Sequence, residues 1–209
     1  MIHVNAAALR DILASAAMAA EKPLPARASQ DRHRGHVPIL ENVRLEFAAC
    51  ELTATATDRH RLVQAVTSTL LLEGFTQYEP DVWTILVPAK EATLIAKAIG
   101  ARPGENDTAF LDVTDNVLSV QLSTGSFTVA PEAPPNDYPQ VDLVVDSSRS
   151  NPRPTESIRI DLQHLAMLSK LPHNPTRPPS LVFKGQLGPV RAEWEHRTVR
   201  YTFLVMPIR

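Results

Sequence analysis

Tyr201-Thr202-Phe203-Leu204-Val205-Met206-Pro207-Ile208-Arg209 closes the sequence. Tyr201 to Val205 is rich in β-branched, aromatic and aliphatic residues and reads as a strand tied into a sheet. Pro207 keeps that strand from pairing onward and sets the direction of the tail. A Met-Pro-Ile tail is an odd thing to leave in water, so these residues are expected to have a partner surface elsewhere in the chain.

The chain has 209 residues, enough for one large domain or two small ones. Hydrophobic residues make up 44% and charged residues 21%, close to ordinary globular usage. A net charge of −2 gives no global basic field. With Cys50 as the single cysteine there is no disulfide and no thiolate cage within the chain. Cys50 itself reads as a small buried residue at a strand end. Met1 to Asn5 lacks the pattern of a signal peptide, and no apolar run is long enough to span a membrane, so a cytoplasmic protein is expected. The 18 prolines crowd into 23–38, 131–139, 152–154 and 172–179, which marks those stretches as connections.

In chain order, Ile2 to Val4 reads as a strand and Asn5 as the cap of a helix reaching about Glu21, with Leu9, Ile12, Leu13 and Ala16 on its buried side. Lys22 to Val37 is a basic loop. Alternation predicts strands at 43–47 and 52–56, a polar corner at Thr57-Asp58-Arg59-His60-Arg61, and a strand over 62–69. Trp83 to Val87 is a strand, and Pro88 opens a helix ended by Gly100. Strands follow at 109–113, 117–122 and 126–130. Pro131 to Pro154 is a connection whose middle, Asp137 to Val145, is too apolar to lie free. Ile158 to Ile160 is a strand, and Asp161 caps a helix with Leu162, Leu165, Ala166 and Leu168. Leu181 to Phe183, Val190 to Trp194 and Val199 to Met206 are strands.

One order of elements therefore recurs: strand, helix, three strands, over 2–69, 83–130 and 157–206. An amphipathic helix on one face of an antiparallel sheet cannot bury everything alone, so such units are expected to pair, and the third is left over. The fold class is α+β.

Ala56-Thr57-Asp58-Arg59-His60-Arg61-Leu62, following Pro38-Ile39-Leu40-Glu41-Asn42-Val43, resembles the middle domain of the bacterial DNA polymerase III β sliding clamp. Val87-Pro88-Ala89-Lys90 resembles the start of that domain's second helix. Asp137-Tyr138-Pro139 resembles the segment leading to the C-terminal domain, and Tyr201 to Arg209 resembles the clamp C-terminus. The four motifs occur in the family's order. The resemblance implies a DNA-clamp fold of repeated strand–helix–three-strand units, with antiparallel sheets and helices on one face. It implies a complete clamp domain at 1–145, a linker at 146–156 and, at 157–209, only the second half of the C-terminal domain. The halves that family subunits use to join into a ring on DNA are expected to be missing, as is the final Leu of the tail.

The family's peptide-binding pocket lies between its middle and C-terminal domains. By motif, the resemblance assigns to it Leu40, Thr57, Arg59, His60, Arg61, Leu62, Pro139, Leu143, Val144, Leu204, Val205, Met206, Pro207 and Ile208. Arg59, Leu143 and Ile208 depart from common family residues and are expected to change which peptides fit. The implied partners are DNA polymerases or repair proteins carrying a clamp-binding motif. Candidate contacts to double-stranded DNA, weak and salt-sensitive, are Arg10, Lys22, Arg27, Arg32, Arg34, Lys90 and Lys97. The unpaired unit suggests a homo-oligomer, and the alternative function is a processivity factor that forms a ring on DNA by a non-family interface.

Read without the family, Asp58 is the cap of a surface turn rather than a partner orienting a catalytic His60. His33-Arg34-Gly35-His36, two histidines among arginines in a loop, does not read as a metal site. No phosphate loop, zinc spacing or convincing carboxylate pair is present, so neither an enzyme nor a cofactor is expected.

Overall fold

The computed structural model describes residues 1–23, 36–69, 82–101, 103–104, 107–131, 133–149, 158–185 and 188–208. β1 (Ile2–Asn5) runs straight into α1 (Ala6–Ala19), and the Asn5 side chain accepts from the Ala8 amide at 3.1 Å. The helix stops at Ala19, short of the expected Glu21, because Ala20 already has an extended backbone. β2 (Asn42–Ala48), β3 (Glu51–Thr57) and β4 (Arg61–Ser68) form a meander. Ala49 and Cys50, both at positive φ, make the β2–β3 turn. Cys50 is thus a half-buried turn residue, not a buried strand end.

β5 (Trp83–Pro88) leads into α2 (Ala89–Ile99), which Gly100 ends with φ +83°. β6 (Thr108–Thr114), β7 (Val117–Leu122) and β8 (Gly125–Val129) follow. α3 (Val141–Arg149) lies in the connection and runs four residues past the expected boundary at Val145. α4 (Leu162–Leu165) is capped by Asp161 and continues as a 3-10 turn over Ala166–Lys170. β9 (Ser180–Phe183), β10 (Val190–His196) and β11 (Val199–Val205) complete the chain.

Two antiparallel sheets result, ordered β1-β6-β7-β8 and β5-β2-β3-β4-β11-β10-β9. The first two units close by exchanging their first strands. β1 pairs with β6 of the second unit, and β5 pairs with β2 of the first. α1 and α2 pack on each other and share the main core, which takes Leu9, Ile12, Leu45, Phe47, Ile95, Leu111 and Val120. The third unit adds its sheet to the first through β4 and β11, whose register runs from Arg61↔Val205 to Thr67↔Val199. Tyr201, Phe203 and Val205 thereby enter the main core.

The expected strand over Ile158–Ile160 does not form. In the first two units the opening strand is paired by the other unit, and the third unit has no such partner within the described residues. Its helix is short for the same reason. α1 and α2 brace each other, whereas α4 packs chiefly on its own 3-10 continuation and leaves Leu162 75% exposed.

Candidate functional site at the β4–β11 junction

The corner before β4 is built by its own polar side chains. Thr57 Oγ1 donates to the Arg61 carbonyl at 2.7 Å and accepts from the Arg59 amide at 3.1 Å. Asp58 Oδ1 accepts from the amides of His60 and Arg61 at 3.1 and 3.0 Å, and its Oδ2 lies 2.9 Å from Arg61 Nε. This is the capped turn expected of Asp58. Arg59 takes the left-handed backbone with φ +75° and reaches Glu21 at 2.9 Å.

β11 runs antiparallel to β4, so Leu204 sits opposite Leu62. Beyond the strand the Met206 amide donates to the His60 carbonyl at 2.8 Å, and the Ile208 amide donates to the Arg159 carbonyl at 2.8 Å. The tail is therefore pinned along the corner. The His60 ring stacks on His164 with centroids 5.2 Å apart.

Beneath the junction lies a second apolar cluster of Leu40, Leu62, Leu86, Tyr138, Val141, Val145 and Leu204, separate from the main core. Met206 and Ile208 stand exposed beside it, at 38% and 53%. Strand alternation sends Leu204 to this cluster and Val205 to the main core. Thr57 is buried and spent on the turn. Pro139 is exposed ahead of α3.

The segment expected to contribute Leu143 and Val144 is a helix with Val141, Val145 and Ser148 inward. At 3.6 residues per turn Val144 falls on the flank of that buried stripe and Leu143, 64% exposed, on the opposite face. The inward residues are thus Val141 and Val145, which sequence reading passed over. Tyr138, His164 and Leu162 were also unassigned; only Tyr138 had a signal, its place in Asp137-Tyr138-Pro139.

Burial pushes the Tyr138 phenol well above its ordinary value, so its neutral form is the one that folds. With the folded value raised, this stabilisation is complete below about pH 10 and is lost as pH rises further. Denaturant unfolding of Tyr138→Phe is expected to show a smaller loss of stability between neutral and strongly alkaline pH than the parent chain.

The candidate DNA contacts divide. Arg10 is committed inward: Nε and Nη2 donate to Asp11 Oδ1 at 2.8 and 2.6 Å, and Nη1 donates to the carbonyls of Gly100 and Ala101 at 3.1 and 2.7 Å. Lys22, Lys90 and Lys97 are exposed. Arg27, Arg32 and Arg34 lie outside the described residues. A cleft of about 480 Å³ lies along the contact of α1 with α2, walled by Ala14, Ala17, Met18 and Ala96 with Lys97 at its edge. His36, from the expected basic loop, is held by Glu41 at 2.7 Å and Glu21 at 3.4 Å.

Asp11 is buried and also lies 3.7 Å from Arg197 in the β10–β11 turn, so it links α1 to the third unit. Asp11→Ala strips charged donors of a buried partner and is expected to cost about 1.5–3 kcal/mol in chemical denaturation. Arg10→Ala is likewise expected to lower stability, without changing the salt dependence of any DNA binding.

Among the described residues no helix is long and apolar enough to cross a membrane. No protein-family description and no curated protein matches the sequence. Solved structures do match. The DNA polymerase sliding clamp from Bacillus subtilis superposes with a TM-score of 0.69 at 13% identity, over 100% of this chain and 64% of that one. A putative DNA polymerase III β subunit from Eubacterium rectale gives 0.71 at 10% identity, over 100% and 65%. The DNA polymerase III subunit β from Pseudomonas aeruginosa gives 0.65 at 17% identity, over 100% and 64%. The chain spans less than two thirds of the length of these neighbours. With its antiparallel sheets and paired helices, it has the fold of the bacterial DNA polymerase III β sliding clamp.

Proposed function

We propose that this chain is a reduced sliding-clamp homologue of DNA replication or repair. It binds the clamp-binding motifs of polymerases and their partner proteins, and acts as adaptor or competitor of a full clamp. It is a binding protein of the cytoplasm rather than an enzyme. Its residues 1–145 serve as a complete clamp domain and 157–209 as half of a second, joined by 146–156.

The observation that carries this reading is the bond from the Met206 amide to the His60 carbonyl at 2.8 Å. It joins two motifs far apart in sequence into one surface. The buried cluster of Leu40, Leu62 and Leu204 supports it from beneath, Met206 and Ile208 give it adaptable exposed side chains, and Arg59 and His60 a polar edge. Short apolar peptides bind surfaces of this composition, and methionine adjusts its shape to several partners. Lys22, Lys90 and Lys97 add a weak, salt-sensitive attraction for DNA.

A fluorescently labelled peptide carrying a polymerase clamp-binding motif is expected to bind saturably and to be displaced by its unlabelled form. Absence of saturable binding at high protein concentration contradicts the reading.

The second reading, a processivity factor closed into a ring by a non-family interface, has one observation in its favour. β8 and β9 end their sheets without a neighbouring strand among the described residues. Retention on circular but not linear DNA separates it from the first.

A further inference from the structure

We propose that two copies of this chain pair through their third units, each supplying the opening strand that the other lacks. This pairing rests on sheet topology and not on peptide binding, so the two readings fail separately.

The first two units show what completes a unit. Each lends its opening strand to the other, β1 to β6 and β5 to β2, both antiparallel. The exchange is reciprocal, so the two units are related by a local two-fold rotation. A third unit of the same pattern is self-complementary under that rotation, and a second copy of it is the occupant the pattern specifies.

The register follows from the same comparison. In both internal exchanges the helix cap pairs with the first residue of the receiving strand: Asn5 with Thr108, and Pro88 with Asn42. The corresponding residues of the third unit are the cap Asp161 and Ser180, the first residue of β9. Asp161 of one copy then faces Ser180 of the other, and Ile160, Arg159 and Ile158 face Leu181, Val182 and Phe183.

The side chains carry an independent sign of that register. One residue before the cap, the internal pairs are Val4↔Ala109 and Val87↔Val43; three before it, they are Ile2↔Leu111 and Ile85↔Leu45. The third unit keeps apolar residues at all four matching positions, Ile160 with Leu181 and Ile158 with Phe183. Yet Ile158–Ile160 is unpaired as a strand, and β9 has a sheet neighbour on one side only among the described residues. Leu181 is 37% exposed and Leu162, on the unbraced helix, 75% exposed. Neighbouring residues of an extended segment present their backbone groups to opposite edges. The Arg159 bond to Ile208 therefore leaves the edge carried by Ile158 and Ile160 for a second chain.

The test has two parts. Light scattering of the unmodified chain over a concentration series is expected to show a shift from 23.0 kDa to twice that mass. In a Cys50→Ser background, Arg159→Cys combined with Val182→Cys places thiols opposite each other across the interface, at a spacing a disulfide accepts. Mild oxidation is expected to yield a covalent dimer. Arg159→Cys combined with Ser180→Cys, two residues out of register, is expected to yield much less. A chain that stays at 23.0 kDa throughout overturns the proposal. So does a dimer that forms equal amounts of both cross-links, or neither, because its interface then lies elsewhere. Where a cysteine variant fails to fold, the mass of the unmodified chain still decides between pairing and its absence.

Discussion

Phe203→Ala is expected to destabilise the whole molecule by about 3–5 kcal/mol, the range for emptying a buried aromatic site. Phe203 is 1% exposed and lies in β11 between Val63 of β4 and Ala192 of β10. It belongs to the main core that α1 and both sheets share. The third unit thus extends the seven-stranded sheet, and truncation there removes packing from the first unit too. Thermal unfolding followed by circular dichroism is expected to remain a single transition, with Tm lowered on the order of 10 °C. A biphasic melt in which only one step moves would show that the third unit folds by itself.

Met206→Asp is expected to weaken binding of a clamp-motif peptide at least about tenfold, equivalent to roughly 1.4 kcal/mol, with unfolding little changed. The Met206 backbone is held by the His60 carbonyl, and its side chain is 38% exposed, so the substitution changes the surface while leaving the β4–β11 ladder in place. A carboxylate there must be desolvated by any apolar peptide that covers it. His60→Ala is expected to act in the same direction by removing both the polar edge and its stack on His164. The two effects are not expected to add, because one backbone bond couples the two residues.

Strand alternation, the Asn5 and Asp161 caps and the Gly100 stop made most elements legible in the sequence, since each is a local signal. Strand partnership was not legible. The exchange of β1 and β5, and the pairing of β4 with β11, join residues a hundred or more positions apart or cross between units whose sequences give no address. Ile158–Ile160 reads as a strand because its residues favour one, but a strand exists only with a partner. The helical form of α3 was not legible for a different reason. Val141-Asp142-Leu143-Val144-Val145 is β-branched and short, and its helical stripe of Val141, Val145 and Ser148 includes a polar residue. Motif matching assigned Leu143 and Val144 to the candidate surface, and the helix leaves both exposed, at 64% and 39%, with Val141 and Val145 inward. The corner and tail met as expected because each was read from several residues rather than one.

The central claim, that corner and tail form one peptide-binding surface, is tested most directly by amide hydrogen exchange with and without a saturating clamp-motif peptide. Protection is predicted over 57–62 and 204–208, with no change on α1, α2 or β6 to β8. Protection confined to those other elements, or no protection at saturation, would contradict it.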